Sequence, residues 1–220
     1  MNVAGAIGER RSIRAFLKKP IPQIILEEIF QSALRAPSWG NTQPWKFTVV
    51  GGKILQAMVE DLVERVASGS RPQTDIEIPK DWPEALARRY KENGKRLFAV
   101  LGIGREEKEK RTAHSMNMFR FFGAPQVAYI HLDRSLGTYS IFDAGLLAQN
   151  IALLAVERGL GTCFLAVSVL FSDVVRRHTG IPESDRIVIG MAIGHPDWDD
   201  PVNHFRSHRE PLAAVVRWVG

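Results

Sequence analysis

Ala36-Pro37-Ser38-Trp39-Gly40-Asn41-Thr42-Gln43-Pro44-Trp45-Lys46-Phe47 is the stretch around which the chain is arranged. It lies between an amphipathic helical run at 22–35 and a β-type run, Phe47-Thr48-Val49-Val50. Pro37 and Pro44 remove backbone donors and restrict their neighbours, so the segment is stiff and cannot continue the helix. Ser38, Asn41 and Gln43 offer hydroxyl and amide groups that match a flat heterocycle with donor and acceptor edges. A plain helix-ending turn is the competing reading, with Gly40 and Asn41 in left-handed backbone and the tryptophans packed as core.

Working outward, 220 residues with a 45% apolar share fit a single domain spanning 1–220, or one protomer of an interlocked dimer. No linker, repeat or low-complexity tract divides the chain. The single cysteine, Cys163, excludes an intramolecular disulfide framework and suits a reducing cytoplasm. With no basic segment leading into an apolar one at the N-terminus and no run of about 18 apolar residues, the expectation is a soluble cytoplasmic protein without a membrane span.

A formal charge of +5 favours anionic partners without naming one. Most cations lie in mixed runs such as Arg105-Glu106-Glu107-Lys108-Glu109-Lys110-Arg111, which read as solvated helix faces. Two clusters differ: Arg10, Arg11 and Arg14 near the start, and Arg206 and Arg209 near the end. Nucleic acid is disfavoured as a partner, because the arginines are split between the two ends and lack interleaved aromatic platforms.

Element by element, the pattern predicts helices over 2–10, 22–35, 52–66, 84–101 and 108–122. It predicts strands over 45–50, 126–132, 162–169 and 187–193. Residues 68–82 carry Pro72 and Pro79 and open an irregular excursion running to about 122. The run 141–156 is apolar almost all round, which requires burial in a domain centre or against a second subunit. Ser172 is placed as the cap of a helix ending before Gly180. Irregular alternation of strands and helices gives an α+β, three-layer α/β/α arrangement.

Common catalytic signatures are absent: there is no G-x-G-x-x-G, G-x-x-x-x-G-K-[ST], H-E-x-x-H, G-x-S-x-G or C-x-x-C. His204 and His208 lack a third ligand nearby, and Cys163 in its apolar run reads as core rather than nucleophile. A catalytic role for the chain would therefore rest on an organic cofactor.

Five ordered motifs together resemble the FMN-dependent nitroreductase family. They are R-R-S-x-R-x-F at 10–16, P-S-x-x-N-x-Q-P-W-x-F at 37–47, N-x-x-F-F-G-A-P around Asn117 to Pro125, G-L-G-T-C at 159–163, and R-x-x-R-x-P-L at 206–212. The long 68–101 segment is most similar to the nitrobenzene and nitrobenzoate reductase branch.

The resemblance implies a mixed central sheet wrapped by helices and an interlocked homodimer with FMN at the subunit interface. It implies that Arg10, Arg11, Ser12 and Arg14 face the flavin, with Arg206 and Arg209 closing on the phosphate. Pro37, Ser38, Trp39, Asn41 and Gln43 would reach the flavin from the second subunit, Asn117 would address the pyrimidine ring, and Phe164, Leu165 and Ala166 would lie near N5. Many relatives carry glycine near that last stretch and this chain has none, so the backbone geometry there stays open.

The implied chemistry is ping-pong hydride transfer through flavin N5, from NADH or NADPH to a nitroaromatic or quinone, with no side-chain catalyst and no metal. A different specialised reaction on the same flavin fold (dehydrogenase, dehalogenase or flavin-modifying), or a basic phosphate-binding module, stands as the alternative.

Overall fold

The computed structural model describes residues 1–220 and builds them around a four-stranded sheet of order β1-β2-β4-β3. In chain order the helices are α1 (Val3–Glu9), α2 (Gln23–Ala33), α3 (Gly52–Ala67), α4 (Glu84–Val100), α5 (Lys108–Phe119), α6 (Thr138–Glu157) and α7 (Ser172–Thr179). The strands are β1 (Trp45–Gly51), β2 (Gln126–Asp133), β3 (Gly161–Leu165) and β4 (Asp185–Gly194).

Strand alternation sorts the core onto two faces. Val127 and Tyr129 of β2 join Leu55, Met58 and Leu62 of α3 on one side. Ala128 of β2 joins Leu26 and Ile29 of α2 and Leu147 and Ile151 of α6 on the other. Helices thus cover both faces, giving the expected three layers.

The expectation of a mixed sheet needs correction. Every pairing between β1, β2, β4 and β3 is antiparallel, and parallel pairing is confined to isolated bridges at Ser12–Thr162 and Gln73–Phe171. The long helical connections permit either sense, so connection length in the sequence did not decide it.

Helix α6 is not enclosed on all sides by this chain. It is long and apolar enough to cross a membrane, with a mean hydropathy of 1.4. Only one face, through Ala144, Leu147, Ala148, Ile151 and Ala155, is buried in this chain. Tyr139 and Phe142 of the same helix are 65% and 62% exposed.

Two local expectations are revised. Ser172 is the first residue of α7 and caps nothing; its hydroxyl donates to the Gln73 carbonyl at 2.6 Å. The helix expected over 108–122 stops at Phe119, because Phe121 and Phe122 take left-handed backbone (φ 51° and 54°) while both rings are buried. The excursion after α3 is tied down at Gln73, through its bridge to Phe171, and at Asp75. Asp75 accepts hydrogen bonds from Arg176, from Arg134 at 2.8 Å and from the Ile187 backbone at 2.9 Å.

At the Leu132 end of the β1–β2 pair, Asp185 is 1% exposed and receives Lys46 Nζ at 2.9 and 3.0 Å and His131 Nδ1 at 2.7 Å. Nε2 of that His131 lies 3.0 Å from Thr48 Oγ1. Burial opposes ionisation of Asp185, but the hydrogen bonds and charges of Lys46 and His131 outweigh it and hold the carboxyl below its ordinary range. A depressed carboxylate contributes stability above its unfolded pKa of about 4 and loses it as pH falls through the lower folded value. Asp185→Asn is expected to lower unfolding stability at pH 7 by about 2 kcal/mol in urea titration, since the buried carboxylate that receives His131 and the half-exposed Lys46 is lost. The variant's stability should also respond less than wild type's to acidification below about pH 4.

Candidate functional site

The first arginine cluster leaves α1 as an extended strip. Asn2 caps α1 by accepting from the Gly5 amide at 2.8 Å, and Arg10 ends it. Ser12 then bridges Thr162, with the Ile13 amide bonded to the Thr162 carbonyl at 3.0 Å. The approach is so close that a Cβ on Gly161 would sit 2.4 Å from the Ile13 side chain, so glycine is required there. Ile13 enters the core, and alternation puts Ser12 and Arg14 on the other side of the strip.

Past Ile13, the strip is held by Asn203, which is fully buried. Its Oδ1 accepts from the Arg14 amide at 2.7 Å and the Ala15 amide at 3.3 Å, while Nδ2 donates to the carbonyls of Ala15 (2.8 Å) and Asp197 (2.7 Å). The sequence reading did not single out Asn203. The only available signal was a buried-type position beside the acidic run Asp197 to Asp200, and Asp200 caps the short turn that presents Asn203.

Four arginines converge here, but they divide by partner. Glu9 pairs with Arg11 at 2.9 Å and with Arg206 at 3.0 Å, and the two cations hold its carboxyl below the ordinary range, Arg206 most strongly. Arg11 also lies 5.2 Å over Trp198, and Arg206 donates to the Gly8 carbonyl at 2.7 Å. Both therefore fasten chain segments together.

Arg10 and Arg14 form no ion pair and share the neighbourhood of Cys163. The Arg14 side chain is half-buried, its guanidinium donates only to the Ser12 carbonyl at 3.2 Å, and it lies 5.8 Å over the Phe205 ring. Burial pulls its pKa below the usual guanidinium value. Burial pushes the Cys163 thiol up despite Arg14 and Ser12, which fits a core cysteine rather than a nucleophile. Arg209 stands apart from this group. It bonds Ser207 Oγ at 2.7 Å and faces a rim with Arg89, Arg96 and Glu210.

The 36–44 loop is stiff for reasons visible in its backbone. Gly40, Asn41 and Gln43 have φ of 56°, 56° and 48°. Ser38 Oγ accepts from the Gln43 amide at 3.0 Å, and Gln43 Nε2 donates to the Asn41 carbonyl at 3.2 Å. The Trp39 amide donates to Asp143 of α6 at 3.2 Å, and its ring, 65% exposed, meets Tyr139 edge-on at 4.5 Å. Pro37 and the Asn41 side chain face solvent, and Ser38 is half-buried.

This loop feeds β1, one edge of the sheet, whereas the arginine strip lies along β3, the other edge. One chain does not bring the two together.

Of the remaining predicted positions, Asn117 is exposed on α5 in a shallow groove with Thr112, Met116 and Arg120. Leu165 is in the core, Phe164 is half-buried on the α6 side, and Ala166 is exposed where β3 passes into a short helical turn. His204 Nε2 lies 2.8 Å from the Trp198 carbonyl oxygen, which gives that histidine a structural partner.

Comparisons with known proteins agree on one family. The model described as "Nitroreductase family" matches residues 7–195. A 4-nitrobenzoate reductase from Pseudomonas putida is 32% identical over 219 residues, covering 97% of this chain and 94% of the relative. Among solved structures, the FMN and NADPH-dependent nitroreductase NfnB from sphigopyxis sp. strain HMH superposes with a TM-score of 0.96 at 35% identity, covering both chains fully. The FMN-dependent nitroreductase NfnB from Mycobacterium smegmatis, in complex with NADPH, gives 0.92 at 29% identity, again with full coverage of both chains.

Asn203→Ala is expected to release the strip by leaving the Arg14 and Ala15 amides unpaired, lowering stability by about 2–3 kcal/mol in urea titration. Amide exchange at residues 14 and 15 should rise well above that of the β2–β4 ladder, and unchanged protection there would remove Asn203 from this role.

Proposed function

This chain belongs to the nitroreductase family, and from that premise we propose that it is an FMN-dependent NAD(P)H oxidoreductase reducing nitroaromatic or quinone acceptors by a ping-pong route. The observation that carries the reading is the division of the arginines. Glu9 pairs with both Arg11 and Arg206, while Arg10 and Arg14, beside Ser12, have no carboxylate partner. A sheltered guanidinium lacking an anionic partner is unfavourable unless a ligand supplies the anion. A phosphate-bearing cofactor with a polar ring edge fits that donor set.

When bound, FMN supplies two-electron chemistry, taking a hydride from NADH or NADPH and passing it to the acceptor. The chain's own contribution is positional. Arg10, Ser12 and Arg14 would hold the cofactor's negative charge, and Arg14 would stabilise charge gained at the ring edge on reduction. Arg11 and Arg206 keep the strip in place through Glu9, with Arg209 on the nearby tail. Asn117 and the Phe164–Ala166 stretch would complete the cradle around the ring.

Two features favour an interlocked homodimer as the working unit. Ser38, Asn41 and Gln43 lie at the opposite sheet edge from Arg14, so their amides and hydroxyl reach a shared cofactor only from a second copy. Tyr139, Phe142 and Trp39 form an exposed aromatic face on and beside α6 that such a partner would cover. The reaction belongs in the cytoplasm, where reduced nicotinamide is available.

Purified protein is expected to show flavin absorbance that bleaches with NADPH or NADH under anaerobic conditions and recovers on adding a nitroarene. Colourless protein that neither takes up FMN nor oxidises either nucleotide would overturn the reading. Arg14→Ala is expected to weaken FMN binding by about tenfold or more, measured by fluorescence quenching on reconstitution, because one charge-assisted contact is lost.

A further inference from the structure

The cleft between α4 and α5, about 820 Å³, combines two kinds of lining. Phe98 and Met118 supply apolar surface, and Lys91, Lys95, Arg105 and Arg111 supply positive charge, with no aspartate or glutamate among the lining residues. None of these four cations takes part in a salt bridge; the nearby acid Glu107 is paired with Lys110, on the same helix as Arg111. Arg111 is fixed in place, with its guanidinium 4.0 Å over the Phe98 ring and its Nε donating to the Gly104 carbonyl at 2.9 Å.

We propose that this cleft seats the acceptor and selects aromatic molecules carrying a negative charge, such as an arenecarboxylate. A flat ring would bury against Phe98 and Met118, and its anionic substituent would meet Arg111 with Lys95 and Lys91 around it. The cleft adjoins the arginine strip: Leu97 of its lining packs in one cluster with Phe205, and Arg14 lies 5.8 Å over the Phe205 ring. His114 also lines the cleft and meets Phe98 edge-on at 5.5 Å. Burial, with the Arg14 charge after it, holds the His114 pKa below the usual imidazole value, which disfavours its charged form and leaves the selection for charge to the lysines and arginines. The assignment of an acceptor, though not the selection for charge, rests on the flavin reading above.

The adenosine 2′-phosphate of NADPH also places an anion, carried on the ribose, near an aromatic ring, so the test separates the two sources. Protein supplied with FMN is titrated calorimetrically with benzoate and with benzamide, its uncharged counterpart. Benzoate is expected to bind about tenfold tighter at low salt, with the margin shrinking as salt rises. Arg111→Gln and, independently, the solvent-exposed Lys95→Gln are expected to narrow that margin to a few-fold or less. The kcat/KM ratio of 4-nitrobenzoate over nitrobenzene should fall in parallel, through KM.

Equal affinity for benzoate and benzamide, or a margin that survives both substitutions, would overturn the proposal. So would a loss of NADPH-over-NADH preference in the two variants with benzoate binding untouched, which would assign the cations to the coenzyme. Selective benzoate binding by protein that takes up no FMN would uphold the anion site and remove the flavin reading alone.

Discussion

Everything proposed for the arginine strip depends on one buried side chain. Residues 12–16 are pinned at their ends by the Ser12–Thr162 and Phe16–Pro196 bridges, which leaves the backbone around Arg14 to be ordered. Asn203 supplies the missing constraint by engaging the strip's backbone on both donor and acceptor sides while itself excluded from water. An amide suits this better than a carboxylate because it donates and accepts at once, and it adds no charge that would neutralise Arg14. The same economy governs Glu9. One carboxylate pairs with Arg11 and Arg206, joining the start of the chain to residues near its end, and leaves the remaining two guanidinium groups uncompensated.

Much of the fold was legible because it rests on periodicity. The apolar spacing of α2 and α3 marks their inward faces, and the structure buries Leu26, Ile29, Leu55 and Met58 accordingly; β2 was legible as a strand, and both of its faces are covered. The features that escaped are those where a distant partner overrides a local preference. Ser172 is a good cap residue in isolation, yet Gln73, far away in sequence, offers its hydroxyl a carbonyl. Phe121 and Phe122 adopt left-handed backbone that no local rule assigns to phenylalanine, and burial of the two rings offsets the strain. At the site, the arginines and the polar loop were legible from residue type. Asn203 was not, because a buried asparagine acts through the geometry of a segment nearly two hundred residues away in sequence.

The sheet order carries a consequence that neither edge shows alone. Because β1 and β3 are the outer strands, the elements attached to them, the 36–44 loop and the 10–14 strip, are separated by the full width of the sheet. Both carry features that are unfavourable in isolation: left-handed backbone at Asn41 and Gln43 on one, unpaired half-buried charge on the other. Two such features at opposite edges have a shared explanation if a twofold axis brings the edges of two copies together. The α6 surface points the same way. A helix apolar enough to pass for a membrane span, but buried on one face only, leaves a second face that the proposed second copy would cover.

The run 105–111 shows how a charge pattern that looks balanced in sequence becomes one-sided in space. Read linearly, its three glutamates nearly offset its four basic residues, as on a solvated helix face. Folded, Glu107 turns back to accept from the Gly104 amide at 2.7 Å and to pair with Lys110, while Arg111 lies over Phe98 in the α4–α5 cleft. The acidic side chain is consumed in holding the loop, and the cation it would have neutralised is delivered to a concave, partly aromatic surface. With Lys91 and Lys95 one helical turn apart on α4, the lining of that cleft carries only positive charge, although the surrounding sequence is mixed. Low-dielectric walls strengthen such a field relative to the same charges on a convex surface, so the cleft, more than the net charge of +5, is where the basic character of this chain would act on the ligand proposed for it.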